Sequence, residues 1–280
     1  MKLPVFAPDR RLADLLMHIL VVEQDGGESR LPTRVCPALM LSIRGGAIVE
    51  ADKSLSRTPR FMVGGASMTP RHTVADSGSL GIVVMFRPGG LQQALGVAAP
   101  DVTGSVVPLQ AIVGEEDVDH FLRQVDQPRS IGEYVELLQH FLLSLHSPKR
   151  KGGIASALTE EHRKLFSPVA QLAARFGIGE RQFERKVMQS FGLPLRDLRR
   201  IARFGLTLPR LIGADVGWGN LTRIAHEAGY YDQAHMHRDF SELSGLPPLP
   251  LVQKIASDDP AYWLYQIPQP DFNRLFIPAY

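Results

Sequence analysis

Two groups of side chains in this sequence share one spacing. Phe183-x-Arg185-x-Val187 leads to Gly192, nine residues after the phenylalanine, and Met236-x-Arg238-x-Phe240 leads to Gly245, nine residues after the methionine. Around each arginine stand residue types that read the edges of DNA bases. Arg181, Gln182, Glu184, Arg185 and Met188 belong to the first group, and Gln233, Ala234, His237 and Arg238 to the second. Arginine pairs bidentately with guanine, glutamine with adenine, glutamate accepts from cytosine, and alanine touches the thymine methyl. A metal centre is the competing chemistry, because His226, His235 and His237 are close in sequence. At i, i+2 on a helix, His235 and His237 point to different sides, and no cysteine or carboxylate completes a ligand set. Neither a metal, a cofactor nor a catalytic residue is expected.

Helices must present these groups. Ser167 can cap a helix that starts at Pro168 and ends at Gly177. After the tight turn Gly177-Ile-Gly179, a second helix runs from Glu180 to about Ser190, with Phe183, Val187 and Phe191 inward at i, i+4 and i+8. The plan recurs downstream. Asn220 can cap one helix, Gly229-Tyr-Tyr-Asp232 turns the chain, and Gln233 to about Ser244 forms another, with Met236, Phe240 and Leu243 inward. Two short helices across a glycine turn make a helix-turn-helix, whose second helix enters the major groove. Pro194 to Ile212 is long enough for one connecting helix, and its Arg196, Arg199, Arg200 and Arg203 are expected on phosphates. Two recognition helices in one chain reach major-groove faces about 34 Å apart.

The charge distribution agrees. The net charge of +2 over 280 residues divides unevenly: residues 1–148 carry 13 Lys+Arg against 16 Asp+Glu, residues 149–250 carry 16 against 10, and residues 251–280 carry 2 against 3. A basic segment joined to a mildly acidic one fits a polyanion-binding module attached to something else. At 44% hydrophobic and 21% charged the chain can bury a sizeable core, which excludes disordered and rod-like classes. No apolar run approaches the ~20 residues of a membrane helix. Leu15 to Val22 carries His18 and leads to no small-residue cleavage site, so a cytoplasmic protein is expected. The single cysteine, Cys36, excludes an internal disulfide and is expected to be a buried apolar residue.

Residues from about 153 to 252 resemble the C-terminal DNA-binding domain of AraC/XylS-type bacterial transcription regulators. Ala225-His-Glu-Ala-Gly-Tyr-Tyr-Asp-Gln-Ala-His-Met-His-Arg-Asp-Phe240 with Gly245-Leu-Pro-Pro248 is similar to the family's second-motif signature. Leu172 to Arg185 matches the first motif, and Arg200-Ile-Ala-Arg-Phe204 the connecting segment. Phe86-Arg-Pro-Gly-Gly90, Val107-Pro-Leu109 and Val113-Gly114 resemble a subgroup with a β-rich, cupin-like N-terminal domain. The resemblance implies promoter DNA, a small-molecule effector, a second copy of the chain and RNA polymerase as partners, and a place among nucleoid DNA. Three positions depart from the family pattern. Gly179 stands at an N-cap where serine is usual, Pro247 where threonine or serine is usual, and Pro209 lies inside the connecting helix, where a kink is expected.

The fold class expected is therefore α+β. Residues 1–147 are a β-barrel or cupin-like sensing and dimerisation domain with flanking helices. Residues 153–253 are an all-α domain of two helix-turn-helix motifs joined by a linker helix, and 254–280 an aromatic, proline-rich extension. Ser147-Pro-Lys-Arg-Lys-Gly-Gly153 is the linker. Strands are expected over Arg34–Ile43, Ala47–Ala51, Arg60–Val63 and Leu80–Phe86, with helices after Gly90. Ser130-Ile-Gly-Glu133 is a capping box opening an amphipathic helix, whose Tyr134, Leu137, Leu138, Phe141, Leu142 and Leu145 pack on the sheet or on a second copy. His72 is read as the lone histidine of the strands. The apolar extension is expected to dock on the N-terminal domain. A cupin-like enzyme with a helical accessory domain, and an architectural DNA-binding protein without sequence preference, are the alternatives.

Overall fold

The computed structural model describes residues 3–51, 54–145, 165–213 and 218–267. The expected linker at 147–153, and Phe272, Phe276 and Tyr280 of the extension, lie outside the described residues. The N-terminal strands are β1 (Val5–Phe6), β2 (Leu16–Gln24), β3 (Gly27–Leu31), β4 (Ala38–Arg44), β5 (Ala47–Ala51), β6 (Ser54–Arg57), β7 (Phe61–Gly64), β8 (Arg71–Ala75), β9 (Ser79–Phe86) and β10 (Val106–Pro108). They form two antiparallel sheets, ordered β1-β2-β9-β4-β7-β10 and β3-β8-β5-β6.

Period-2 alternation assigns the two faces of the larger sheet. Ile19, Val21, Leu39, Leu41, Val63, Ile82 and Val84 belong to one buried cluster. They pack under helices α1 (Gly90–Leu95), α2 (Ala99–Val102), α3 (Gln110–Val113), α4 (Glu115–Val125) and α5 (Ile131–Leu145). Phe61 stacks on Phe121 at 5.2 Å, and Phe121 on Phe141 at 4.4 Å. The capping box is formed: Ser130 N donates to Glu133 Oε2 at 2.7 Å, and Glu133 N to Ser130 Oγ at 3.3 Å. Tyr134, Leu138 and Leu142 are buried against the chain's own sheet, so this stripe is core.

Several strands carry no clean alternation and were not legible. β3 and β8 are polar (Gly-Glu-Ser-Arg-Leu and Arg-His-Thr-Val-Ala), and β2 is a continuous apolar run. Because β2 is a strand, His72 is not alone there; His18 is a second strand histidine, 6% exposed. Arg34 starts no strand but makes an isolated bridge with Ser67, and β4 begins at Ala38. Cys36 is 2% exposed, and burial pushes its thiol up to about 12. It stays protonated at neutral pH, so thiol titration at pH 8 should be slow in the native protein and fast in urea; rapid native labelling would contradict this burial. The same shift works against alkaline stability. The raised folded value makes stability fall as pH climbs from the ~8.5 of an unfolded thiol.

The helical half contains α6 (Val169–Arg175), α7 (Glu180–Phe191), α8 (Leu195–Ile212), α9 (Trp218–Glu227), α10 (Gln233–Ser244) and α11 (Pro248–Ala256). Two expected caps are corrected. α6 starts one residue later than expected, with Pro168 at its N-cap and no side-chain capping bond from Ser167. Asn220 lies inside the first turn of α9, which opens at Trp218, and its Oδ1 accepts from Arg223 Nη2 at 3.3 Å. The cap at Asp232 holds instead, its Oδ1 accepting from His235 N at 2.6 Å. α8 runs through Pro209 to Ile212, because the proline falls in its last turn, where one missing N–H interrupts little.

Beyond α11, Pro260–Tyr265 forms a 3-10 turn against β3. Its Trp263 Nε1 donates to Ser29 Oγ at 2.9 Å. The described part of the extension therefore docks on the N-terminal strands, as its apolar load required.

Candidate nucleic-acid interface

Each helix-turn-helix buries one stripe and shows the other. Phe183, Val187 and Phe191 of α7 are at most 3% exposed, and Met236, Phe240 and Leu243 of α10 are fully enclosed. The chain geometry then leaves Arg181, Gln182, Glu184, Arg185 and Met188 on the outside of α7. On α10 it leaves Ala234 and Arg238 exposed, with Gln233 and His237 partly buried. Gln233 Nε2 and His237 Nε2 lie 3.4 Å apart, and Thr222 Oγ1 donates to Gln233 Oε1 at 3.4 Å, so Gln233 is held between α9 and its own helix. Arg181, Arg185 and Arg238 make no ion pair among the described residues, so their guanidinium forks are open toward solvent.

The connecting helix behaves differently from the sequence expectation. Arg199 Nε donates to Leu165 O at 2.8 Å and its Nη2 to Ser167 O at 2.6 Å, tying α8 to the chain entering α6. Burial, then repulsion from Arg203, lowers its pKa. Arg200 Nε donates to Asp239 Oδ1 at 2.8 Å while its Nη2 pairs with Glu242. Burial alone would depress Arg200, but bonds to Glu242 and Asp239 outweigh it and the net shift is upward. Arg203 lies over the Tyr230 ring at 5.1 Å. The structure thus brings the residues of α7 and α10 to the outer surface and does not bring Arg199 and Arg200 there. Their donors join helix to helix.

Asp239 is the residue sequence reading missed. Its side chain is 4% exposed, and it sits one residue before Phe240 on the buried side of α10. The available signal was a carboxylate adjoining a core stripe, opposite a helix with five arginines.

The N-terminal half grips both recognition helices at their C-terminal ends. Gly89 N donates to Ser190 O at 3.0 Å, Thr103 Oγ1 to Gly192 O at 3.0 Å, and Thr33 N to Leu243 O at 3.2 Å. Val35, Cys36, Ala38, Ala66 and Met85 share one buried cluster with the helical residues. Among the described residues the outer faces of α7 and α10 stay uncovered, while carbonyls at their C-terminal ends are held by the N-terminal half.

Residues 172–253 match a family model described as "Helix-turn-helix domain". No curated protein matches the chain. Among solved structures, ToxT from Vibrio cholerae in its 1.65 Å form is 11% identical, covering 84% of this chain and 97% of that one at a TM-score of 0.41. An apo ToxT variant from strain SCE256 is similar at 12% identity, with the same coverage and TM-score. The AraC-like transcriptional activator CuxR is 14% identical, covering 71% of this chain and 84% of that one at a TM-score of 0.32. At these scores the overall likeness is loose.

Proposed function

We propose, with the helix-turn-helix domain of residues 172–253 as premise, that this chain is a sequence-specific DNA-binding transcription regulator of the AraC/XylS type. Its β-rich half responds to a small molecule, and it acts as a regulator and not an enzyme. The observation that carries this reading is the pairing of two recognition helices in one register. Each has its apolar stripe buried, with Arg181, Gln182, Glu184 and Arg185 outward on α7 and Ala234 and Arg238 outward on α10.

Recognition follows from those faces. In α7, Arg181 and Arg185 supply forks for guanine, and Glu184 accepts from a cytosine amine. In α10, Gln233 pairs with adenine and Ala234 meets a thymine methyl, while Arg238 reaches a base or a phosphate. Gly179 starts α7 with no side-chain cap, which leaves its first amides for a phosphate, whereas at α10 the Asp232 carboxylate already accepts from His235 N. The partners proposed are promoter DNA, RNA polymerase, a small-molecule effector and a second copy of the chain, in the cytoplasm alongside the nucleoid. Among the described residues no helix is long and apolar enough to cross a membrane.

The direct experiment is selection of fragmented genomic DNA by the purified full-length protein at physiological salt. Two short sequence blocks about one helical turn, ~34 Å, apart are expected. Uniform weak recovery would favour the architectural alternative. In the same assay Arg181→Ala should flatten base preference at one position of one block, at a cost of about 1–3 kcal/mol for the preferred sequence. Equal loss on specific and random DNA would remove Arg181 from the base-reading set.

A further inference from the structure

Gln233 opens α10, and its amide is contacted on both flanks. On one side Thr222 Oγ1 of α9 donates to Gln233 Oε1 at 3.4 Å. On the other, Gln233 Nε2 stands 3.4 Å from Nε2 of His237, four residues on, where side chains of one helix face meet. An amide nitrogen only donates, so His237 Nε2 is the acceptor and the ring carries its proton on Nδ1. The first motif has Glu180 and Glu184 at the same two positions of α7, both exposed and both acidic. An amide held from two sides is therefore particular to the second motif.

Buried neighbours place the two flanking residues. Thr222 is exposed but follows Leu221, and Ile224 and Ala225 come next on the inner face, all three at most 2% exposed. His237 follows Met236, which is fully enclosed, and the Arg200 bond to Asp239 fixes the rotation of the helix that carries it. The flanking bonds take the lone pair of Oε1 and the hydrogen of Nε2 that point sideways. The leading edge of the amide keeps one acceptor beside one donor, the complement of N6–H and N7 of adenine. Turning the amide over exchanges donor and acceptor, an order that suits the reversed pair T·A in place of A·T. In the turned state Oε1 would face the lone pair of His237 Nε2, so the turn also requires moving the ring proton from Nδ1 to Nε2. Both contacts are long, so they bias the amide without immobilising it, and discrimination is affected more than affinity.

We propose that Thr222 and His237 are positioning residues that orient the Gln233 amide, so that the second motif tells A·T from T·A at one base pair. His237 acts through Gln233 and reads no base itself. This rests on the regulator reading and states how that same face selects its sequence.

The test is fluorescence anisotropy of the full-length protein on duplexes carrying the motif recovered by genomic selection. The pair read by Gln233 is the one whose preference disappears in Gln233→Ala. Replacing its adenine by 7-deazaadenine, which lacks the N7 acceptor, should weaken binding of the parent protein about tenfold and of Gln233→Ala less than about twofold. Thr222→Val keeps the shape and loses the hydroxyl. It should lower the preference for A·T over T·A at that pair about fivefold, with Tm and affinity for random DNA unchanged, and Thr222→Ser should retain the preference. His237→Phe should match Thr222→Val, and should add nothing to Gln233→Ala. Preference unaltered by Thr222→Val, equal loss on specific and random DNA, equal sensitivity of parent and Gln233→Ala to 7-deazaadenine, or a further loss when His237→Phe joins Gln233→Ala would each overturn the assignment. A two-block motif indifferent to Thr222→Val removes the positioning role and leaves the regulator standing. Recovery of no motif removes the regulator reading, and this assignment with it.

Discussion

Arg200→Ala is expected to destabilise the protein by about 3 kcal/mol and to lower its Tm by roughly 6–12 °C. Arg200 on α8 is the main partner of Asp239, whose side chain is 4% exposed, and truncation leaves that carboxylate buried with only His235 Nε2, 3.8 Å from its Oδ2, beside it. Removing one member of such a pair costs far more than the pair itself contributes, because the surviving charge keeps its desolvation penalty. Glu242, the other partner, is 60% exposed, so Glu242→Gln should cost less than ~1 kcal/mol. The decisive comparison is the double variant Arg200→Ala with Asp239→Leu, read by thermal or urea unfolding. It should recover most of the loss, since two apolar groups need no pairing. If the single and double variants lose equal stability, packing of the Arg200 stem, and not the stranded charge, sets the effect.

The same network explains how an exposed reading face is kept rigid without apolar contacts of its own. α10 is anchored through Phe240, which meets Phe204 of α8 edge-on at 4.7 Å, and through Asp239 on Arg200 of the same helix. The buried ring supplies the larger share of the energy by area. The ion pair fixes the rotation of α10 about its axis, and thereby the direction in which Ala234 and Arg238 point. Arg199 performs the parallel task for the first motif through the carbonyls of Leu165 and Ser167. Two of the five arginines of the connecting helix are thus spent inside the domain, which under the proposed reading leaves DNA contact mainly to α7, α10 and their amino ends.

The helical half was legible because its apolar residues recur at 3.6-residue spacing and its turns are punctuated by glycine. Phe183, Val187, Met236 and Phe240 are buried where periodicity places them. The structural bonds of Arg199 and Arg200 were not legible because a sequence shows charge but not the acceptor. Their partners are carbonyls about 32 to 34 residues earlier and carboxylates 39 to 42 residues later, a pairing that exists only after folding. The sheets were half legible. β4, β5, β7 and β9 carry apolar runs between glycines and prolines. β3 and β8 escape because one of their faces is solvated and the other lines an interior with Ser29, Thr73 and Arg71 in place of large apolar residues.

Gly192→Ala should separate the two halves of the molecule without disrupting either. Gly192 ends α7 at φ +77°, a left-handed conformation that costs a residue with a Cβ roughly 1–2 kcal/mol. It also packs against the N-terminal half: an alanine Cβ would collide with Thr103 Oγ1 and lie 2.9 Å from Ala99 O. Thr103 Oγ1 presently donates to Gly192 O at 3.0 Å, so the collision also removes a bond joining the sheets to α7. The expected loss exceeds ~2 kcal/mol, and limited proteolysis should cut between the halves sooner than in the parent protein. Thr103→Ala in the same chain removes the obstructing hydroxyl. If steric conflict at the contact dominates, Gly192→Ala should cost ~1 kcal/mol less in that background than in the parent. An identical cost in both backgrounds would place the whole effect in the backbone of α7 and dismiss the contact. DNA affinity separates the outcomes further. α7 and α10 share one core with α8, so a helical half freed from the N-terminal half should still recover both blocks, whereas loss of the α7 block alone would place the damage in α7 itself.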